Sequence, residues 1–170
     1  GWTMALTMPF LFVVGVRLLA VADLFRSARG RALDPGAGQR IPDAGLPVYT
    51  LLVPLFREAH MLAPLVAVLQ RLDYPPAKLD IRIVLEEADP ETNAVASTLT
   101  LPAHFSVVVV PDGQPRTKPK ALNFALQLAR GEFVGIYDAE DAPAADQLRK
   151  VVAAFRSHGP ETACLQAQLN

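Results

Sequence analysis

Residues 131–141 read GEFVGIYDAED, an apolar, strand-like run that ends in three acids, Asp138, Glu140 and Asp141. A buried strand tolerates such charge only where it emerges at the rim of a sheet and meets solvent, a cation or a basic partner. The same arrangement recurs upstream. Residues 48–53 (VYTLLV) lead through PL into FREAH, residues 81–85 (IRIVL) into EEAD, and residues 105–110 (FSVVVV) into PDGQPRTK. With residues 133–137 these make four strand-like runs, each followed by polar material.

Helical patterns fill the intervals. Leu62, Leu65, Val66, Leu69 and Leu72 recur at helical spacing. DPETNAVASTL opens with Asp89 as an N-cap and Pro90 at the first helical position. Pro119 belongs in the first turn of a helix carrying Ala121, Leu122, Ala125 and Leu126, which Gly131 closes. Leu148, Val151, Val152 and Phe155 mark a helix after Pro143, stopped by Gly159 and Pro160, and residues 162–166 offer a fifth strand. Strands alternating with helices imply right-handed βαβ units and a mostly parallel sheet covered on both faces. Ligands of such sheets sit beyond the carboxyl ends of the strands, where the four polar segments fall.

The chain has 170 residues, enough for one domain with a core, and a net charge of -1 from 16 basic and 17 acidic residues. Nothing global favours nucleic acid as a partner. The single cysteine, Cys164, has no disulfide partner in the chain and reads as a buried structural thiol. Residues 1–25 are expected to form a transmembrane helix, interrupted by Arg17. Arg26, Arg29, Arg31 and Arg40 follow it, which puts the downstream domain on the cytoplasmic side of a membrane. Residues 26–46, rich in Gly and Pro, read as a linker, and the folded domain is expected over residues 47–170. A start inside an apolar run and an end at QAQLN suggest a piece of a longer protein.

Several chemistries are excluded by motif. The chain has no G-x-G-x-x-G, no G-x-x-x-x-G-K-[ST] and no G-x-S-x-G, and His60, His104 and His158 are too scattered for a zinc site. The acids of residues 138–141 suit a hard cation, Mg²⁺ or Mn²⁺, which takes one or two carboxylates together with phosphate oxygens. Arg116, Lys118 and Lys120 lie in one loop at the same sheet edge, able to meet phosphate or to pair with those acids. Glu86 and Glu87 supply acceptors for a base or ribose. Together these suggest a nucleoside diphosphate held through a metal.

In order along the chain, these segments resemble the family 2 glycosyltransferases, particularly their membrane-anchored, cellulose-synthase-like branch with a GT-A (Rossmann-like) fold. PVYTLLVPLFREAHMLAPLVAVLQRLDYPP resembles the family's opening strand, Pro-x-x-[RN]-E loop and first helix. IRIVLEEADPET stands where the family has a strand and an acid pair, RTKPKALNFALQLARGEF resembles its K-x-x-A-L-N helix, and IYDAED its D-x-D metal motif. The resemblance covers about residues 47–168 and implies transfer of a sugar from a nucleotide donor, commonly a UDP-sugar, with inversion. It places donor binding at Glu58, Glu86 or Glu87, Arg116, Lys118 and Asp138, and the metal at Asp138 with Glu140 or Asp141. Glu140 stands where the motif has its second aspartate. The family's general base and acceptor motifs lie downstream, so the chain is expected to be a donor-binding half without full activity. A nucleotidyltransferase and a non-catalytic, membrane-tethered domain are the competing readings.

Overall fold

The computed structural model describes residues 13–19 and 41–166. The chain divides into two units, Gly1–Asp34 and Pro35–Asn170. In the first, residues 13–19 are helical (α1); the rest of the expected membrane span, and the linker up to residue 40, lie outside the described residues. Among the described residues no helix is long and apolar enough to cross a membrane.

The second unit is an α/β sandwich around four parallel strands, β1 (Tyr49–Leu55), β2 (Leu79–Glu86), β3 (Phe105–Val110) and β4 (Phe133–Ile136), in the order β3-β2-β1-β4. Helices α2 (Leu62–Leu69), α3 (Pro90–Thr98), α4 (Lys118–Leu126) and α5 (Gln147–His158) complete it. The central strand β1 is apolar apart from Thr50 because both faces are covered. Leu51, Val53 and Leu55 point into a core with Leu62, Leu65 and Leu69 of α2, Ala96 of α3 and Leu148 and Val152 of α5. Leu52, with Val84 and Val108, packs on the other face against Ala121 and Ala125 of α4. Fully burying one such Leu or Ile contributes roughly 1.5–3 kcal/mol.

The strand order positions the site. Successive strands run outward from β1 to β3, and the chain then returns to add β4 on the other side of β1. The order reverses between β1 and β4, and a crevice opens at the carboxyl ends of the strands beside such a reversal.

Two expectations are corrected. Residues 162–166 form no strand. Cys164 in that segment is exposed, not a buried thiol. The last helix spans Gln147–His158, after Pro143 and ending before Gly159 as expected, and Asp146 precedes it without a side-chain capping bond.

Candidate functional site

A cleft of about 380 Å³ lies at the carboxyl ends of β1, β2 and β4. Six of the eight residues expected to form a site line it: Glu58, Glu86, Arg116, Lys118, Asp138 and Glu140. Each comes from a strand end, from the loop that follows or, for Lys118, from the first turn of the next helix, so the parallel sheet and its crossovers account for their convergence.

The loop after β1 is held from the next strand. Arg57 adopts a left-handed conformation (φ 58°), and its backbone N–H donates to the Asp89 carboxylate at 2.6 Å. The same carboxylate caps α3 through the N–H of Thr92 at 3.3 Å, as the sequence predicts. Burial pushes the Asp89 carboxyl up, but these hydrogen bonds and the Arg57 charge outweigh it and hold it below its ordinary value. Asn93 donates to the backbone oxygens of Glu86 and Asp89, 2.9 and 2.7 Å away, which fixes the end of β2 and presents Glu86 to the cleft.

The basic side of the cleft comes from the start of α4. Thr117 caps the helix by accepting from Lys120 N–H at 3.4 Å, and both Thr117 and Lys118 line the cleft, so the positive end of the helix dipole faces it. Arg116 is paired with Asp112 through two hydrogen bonds of 2.6 and 2.8 Å. Lys118 forms an ion pair with Asp138 across the cleft. Lys120, expected at the same edge, turns away and donates to Pro111 O and Gly113 O, each at 2.9 Å.

Two expected site residues stand apart. The exposed Glu87 accepts from the backbone N–H of Asp112 at 2.9 Å and steadies the loop after β3. Asp141 accepts from the backbone N–H of Asp138 at 2.7 Å and so closes the turn that carries Asp138 and Glu140. Asp141 is thus neither a cleft residue nor the cap of the following helix. Among the described residues no three His, Cys, Asp or Glu side chains form a metal-holding group by themselves. Cations that take one or two carboxylates and complete their shell with phosphate oxygens and water need no such group, and Asp138 and Glu140 supply oxygen donors of that kind.

Sequence reasoning passed over Phe56 and Pro54, which line the cleft at the end of β1. Phe56 is 44% exposed, with the Arg57 guanidinium 5.1 Å from its ring centre. An aromatic ring directly before the R-E pair was the available signal.

Similarity to known proteins follows the same region. Beta-monoglucosyldiacylglycerol synthase from Trichormus variabilis is 28% identical over 119 residues, covering 69% of this chain and 25% of that protein. The enzyme of the same name from Synechocystis sp. is 31% identical over 112 residues, covering 65% of this chain and 23% of that protein. The chain therefore spans about a quarter of the length of the curated relatives it matches. Among solved structures, the mannosyltransferase PcManGT from Pyrobaculum calidifontis, in complex with GDP-Man and Mn²⁺, superposes with a TM-score of 0.57 at 26% identity. That match covers 78% of this chain and 39% of PcManGT. S. aureus TarS in complex with UDP-GlcNAc shares the fold, with a TM-score of 0.51 at 23% identity over 65% of this chain and 31% of TarS. The sequence profile of glycosyl transferase family 2 matches residues 50–169, and with the GT-A arrangement of its parallel sheet the chain belongs to that family.

Proposed function

We propose that the cleft binds the nucleoside diphosphate of a sugar donor, and that the chain is the donor-binding half of an inverting hexosyltransferase. The observation that carries this is the convergence of Asp138, Glu140, Lys118 and Arg116 on one cleft beside the reversal of strand order. The neighbours that bind GDP-Man and UDP-GlcNAc support a nucleotide-sugar donor, and the Mn²⁺ in the PcManGT complex supports a divalent cation. Family membership removes the basis for a nucleotidyltransferase.

Asp138 and Glu140 would hold Mg²⁺ or Mn²⁺, with Asp141 keeping their turn closed. The cation would supply positive charge against the negative charge that grows on the departing diphosphate. Lys118 and Asp138 are both about half exposed, at 47% and 52% of their side-chain surface, and a solvent-exposed pair contributes only about 0–1 kcal/mol. Asp138 can therefore exchange Lys118 for a cation at little cost, which frees the ammonium for a phosphate oxygen. Arg116 keeps Asp112 as its partner and presents the rest of its guanidinium to the cleft. Since the cleft acids are assigned to the donor, the base that deprotonates the acceptor hydroxyl belongs to another part of the enzyme. Segment 1–25 would tether the domain to a membrane, with the cleft on the cytoplasmic side.

Crystals of the chain grown with Mn²⁺ and either GDP or UDP test this reading. An anomalous peak within coordination distance of Asp138, bridged to diphosphate oxygens, is the predicted result. A nucleotide bound away from the carboxyl ends of the strands would refute it.

A further inference from the structure

The amino ends of the strands carry a second cavity, at the edge of the sheet opposite the donor cleft. About 290 Å³ in volume, it is lined by Asp80 and Arg82 of β2, Ser106 of β3, and His104 and Arg130 in the loops before β3 and β4. Four residues of strand separate Arg82 from Glu86 in the cleft, roughly 13 Å, so one phosphate cannot serve both places. Strand alternation puts Asp80, Arg82 and Ser106 on the face where Val84 and Val108 pack against Ala121 and Ala125 of α4. Asp80 is already satisfied: Thr50 Oγ1, Arg82 Nε, and the backbone and side chain of Arg130 donate to it at 2.9–3.3 Å. The two guanidiniums are not. Among the described residues no acceptor engages Arg82 Nη1 or Nη2, nor Arg130 Nε or Nη1. With its side chain only 12% exposed, Arg82 holds these donors largely out of water. Ser106 stands opposite Arg82 in the register of β2 with β3, and its Oγ is buried with no hydrogen-bond partner. Burial holds His104 below its ordinary value of 6.5, so its ring is neutral at pH 7. Two arginines against one aspartate then leave the cavity with one net positive charge. Donors left unpaired out of water weaken a fold, and a ligand that accepts from them gains affinity.

We propose that this cavity is an anion site that takes a phosphate group, separate from the donor cleft and filled independently of it. Arg82 offers its free two-toothed Nη edge, the geometry that grips two phosphate oxygens. Arg130 adds a second guanidinium, and Ser106 a hydroxyl from the neighbouring strand. Donors arriving from two strands and a loop suit a tetrahedral anion, whose oxygens point in four directions. A planar carboxylate accepts within one plane and would leave part of the set unpaired. Inorganic phosphate and the phosphate monoester of a lipid headgroup share the required chemistry.

The test is an NMR titration of inorganic phosphate into the full chain with EDTA and no nucleotide, so that no cation in the donor cleft captures the anion. The side-chain Nε–H resonances of Arg82 and Arg130 should both shift, with one dissociation constant. Arg130→Gln removes a cation but leaves Asp80 its bonds from Thr50, Arg82 and the backbone of residue 130, so the chain stays folded. Phosphate should bind it at least about tenfold more weakly, as for a lost hydrogen bond to a charged group. Ser106→Ala deletes a buried hydroxyl that has no partner, so the Tm should hold or rise while phosphate weakens about three- to tenfold. Arg71→Gln, an equal loss of charge at an exposed position just after α2, should change the constant by less than about twofold. Vesicles of phosphatidylcholine with and without phosphatidic acid separate the two sources. Extra binding to phosphatidic acid that Arg130→Gln abolishes assigns the site to a headgroup; phosphate binding without such extra binding assigns it to the free anion. Arginine resonances that phosphate leaves unmoved, a constant unchanged by Arg130→Gln or by Ser106→Ala, or an equal weakening by Arg71→Gln would overturn the site and leave the reading of the donor cleft standing.

Discussion

At the scale of single residues, the most heavily used carboxylate lies far from the cleft. Asp80, 2% exposed at the start of β2, accepts from Thr50 Oγ1 at 2.9 Å, from Arg82 Nε at 3.0 Å, and from the side chain and backbone of Arg130 at 3.2 and 3.3 Å. Burial pushes its carboxyl up, but the hydrogen bonds from Arg82, Thr50 and Arg130 outweigh this and hold it below its ordinary value of 3.8. Its contribution to stability is therefore complete above pH 3.8 and lost as the pH falls through the lower folded value. Asp80→Ala should destabilise the domain by about 3 kcal/mol at pH 7, as for a buried ion pair that loses one partner. In urea titrations the gap between the two proteins should narrow below pH 3.8; a gap independent of pH would contradict the assigned role. The sequence LDIRIVL shows only one of its partners, Arg82; the others, Thr50 and Arg130, lie 30 and 50 positions away.

The elements themselves were more legible. β3 spans the residues that the apolar run predicts, and Asp89 and Pro90 start α3 as their residue types require. Burial on both faces gives β1 and β2 mostly apolar runs, interrupted by Thr50 in β1 and by Asp80, Arg82 and Glu86 in β2, and Phe105 and Val110 bracket a clearer one. What the sequence obscured depends on three-dimensional neighbours. Glu87 and Asp141 look like their acidic neighbours in the chain, yet backbone N–H groups of nearby loops engage their carboxylates and keep them out of the cleft. Gly131 reads as a helix stop, but its structural reason is close approach: its N–H donates to Thr50 Oγ1 at 2.8 Å, and an added Cβ would lie 2.4 Å from Thr50 N. Gly131→Ala should therefore push β4 away from β1 and cost about 1–3 kcal/mol, the range for forced overpacking. Thermal unfolding would show this as a lowered Tm; an unchanged Tm would mean that the loop before β4 moves freely to make room.

For the molecule as a whole, sheet topology explains why acids and bases scattered over some 80 positions of sequence meet in one cleft. Parallel strands deliver every strand-end loop to the same edge, and the reversal between β1 and β4 opens a crevice there. Alternation of strands and helices made this edge foreseeable, while the division of labour between Glu86 and Glu87, and between Glu140 and Asp141, required the folded chain. The account's central claim is that this cleft holds a nucleoside diphosphate through a cation at Asp138. The most direct measurement is a calorimetric titration of GDP, and separately of UDP, into the chain with Mn²⁺ and then with EDTA, repeated on Asp138→Ala. The account predicts binding that requires the metal and is weakened at least about tenfold by the substitution, with the Tm of the variant little changed because Asp138 is exposed. Binding that survives EDTA undiminished, or that is equally tight in Asp138→Ala, would contradict it.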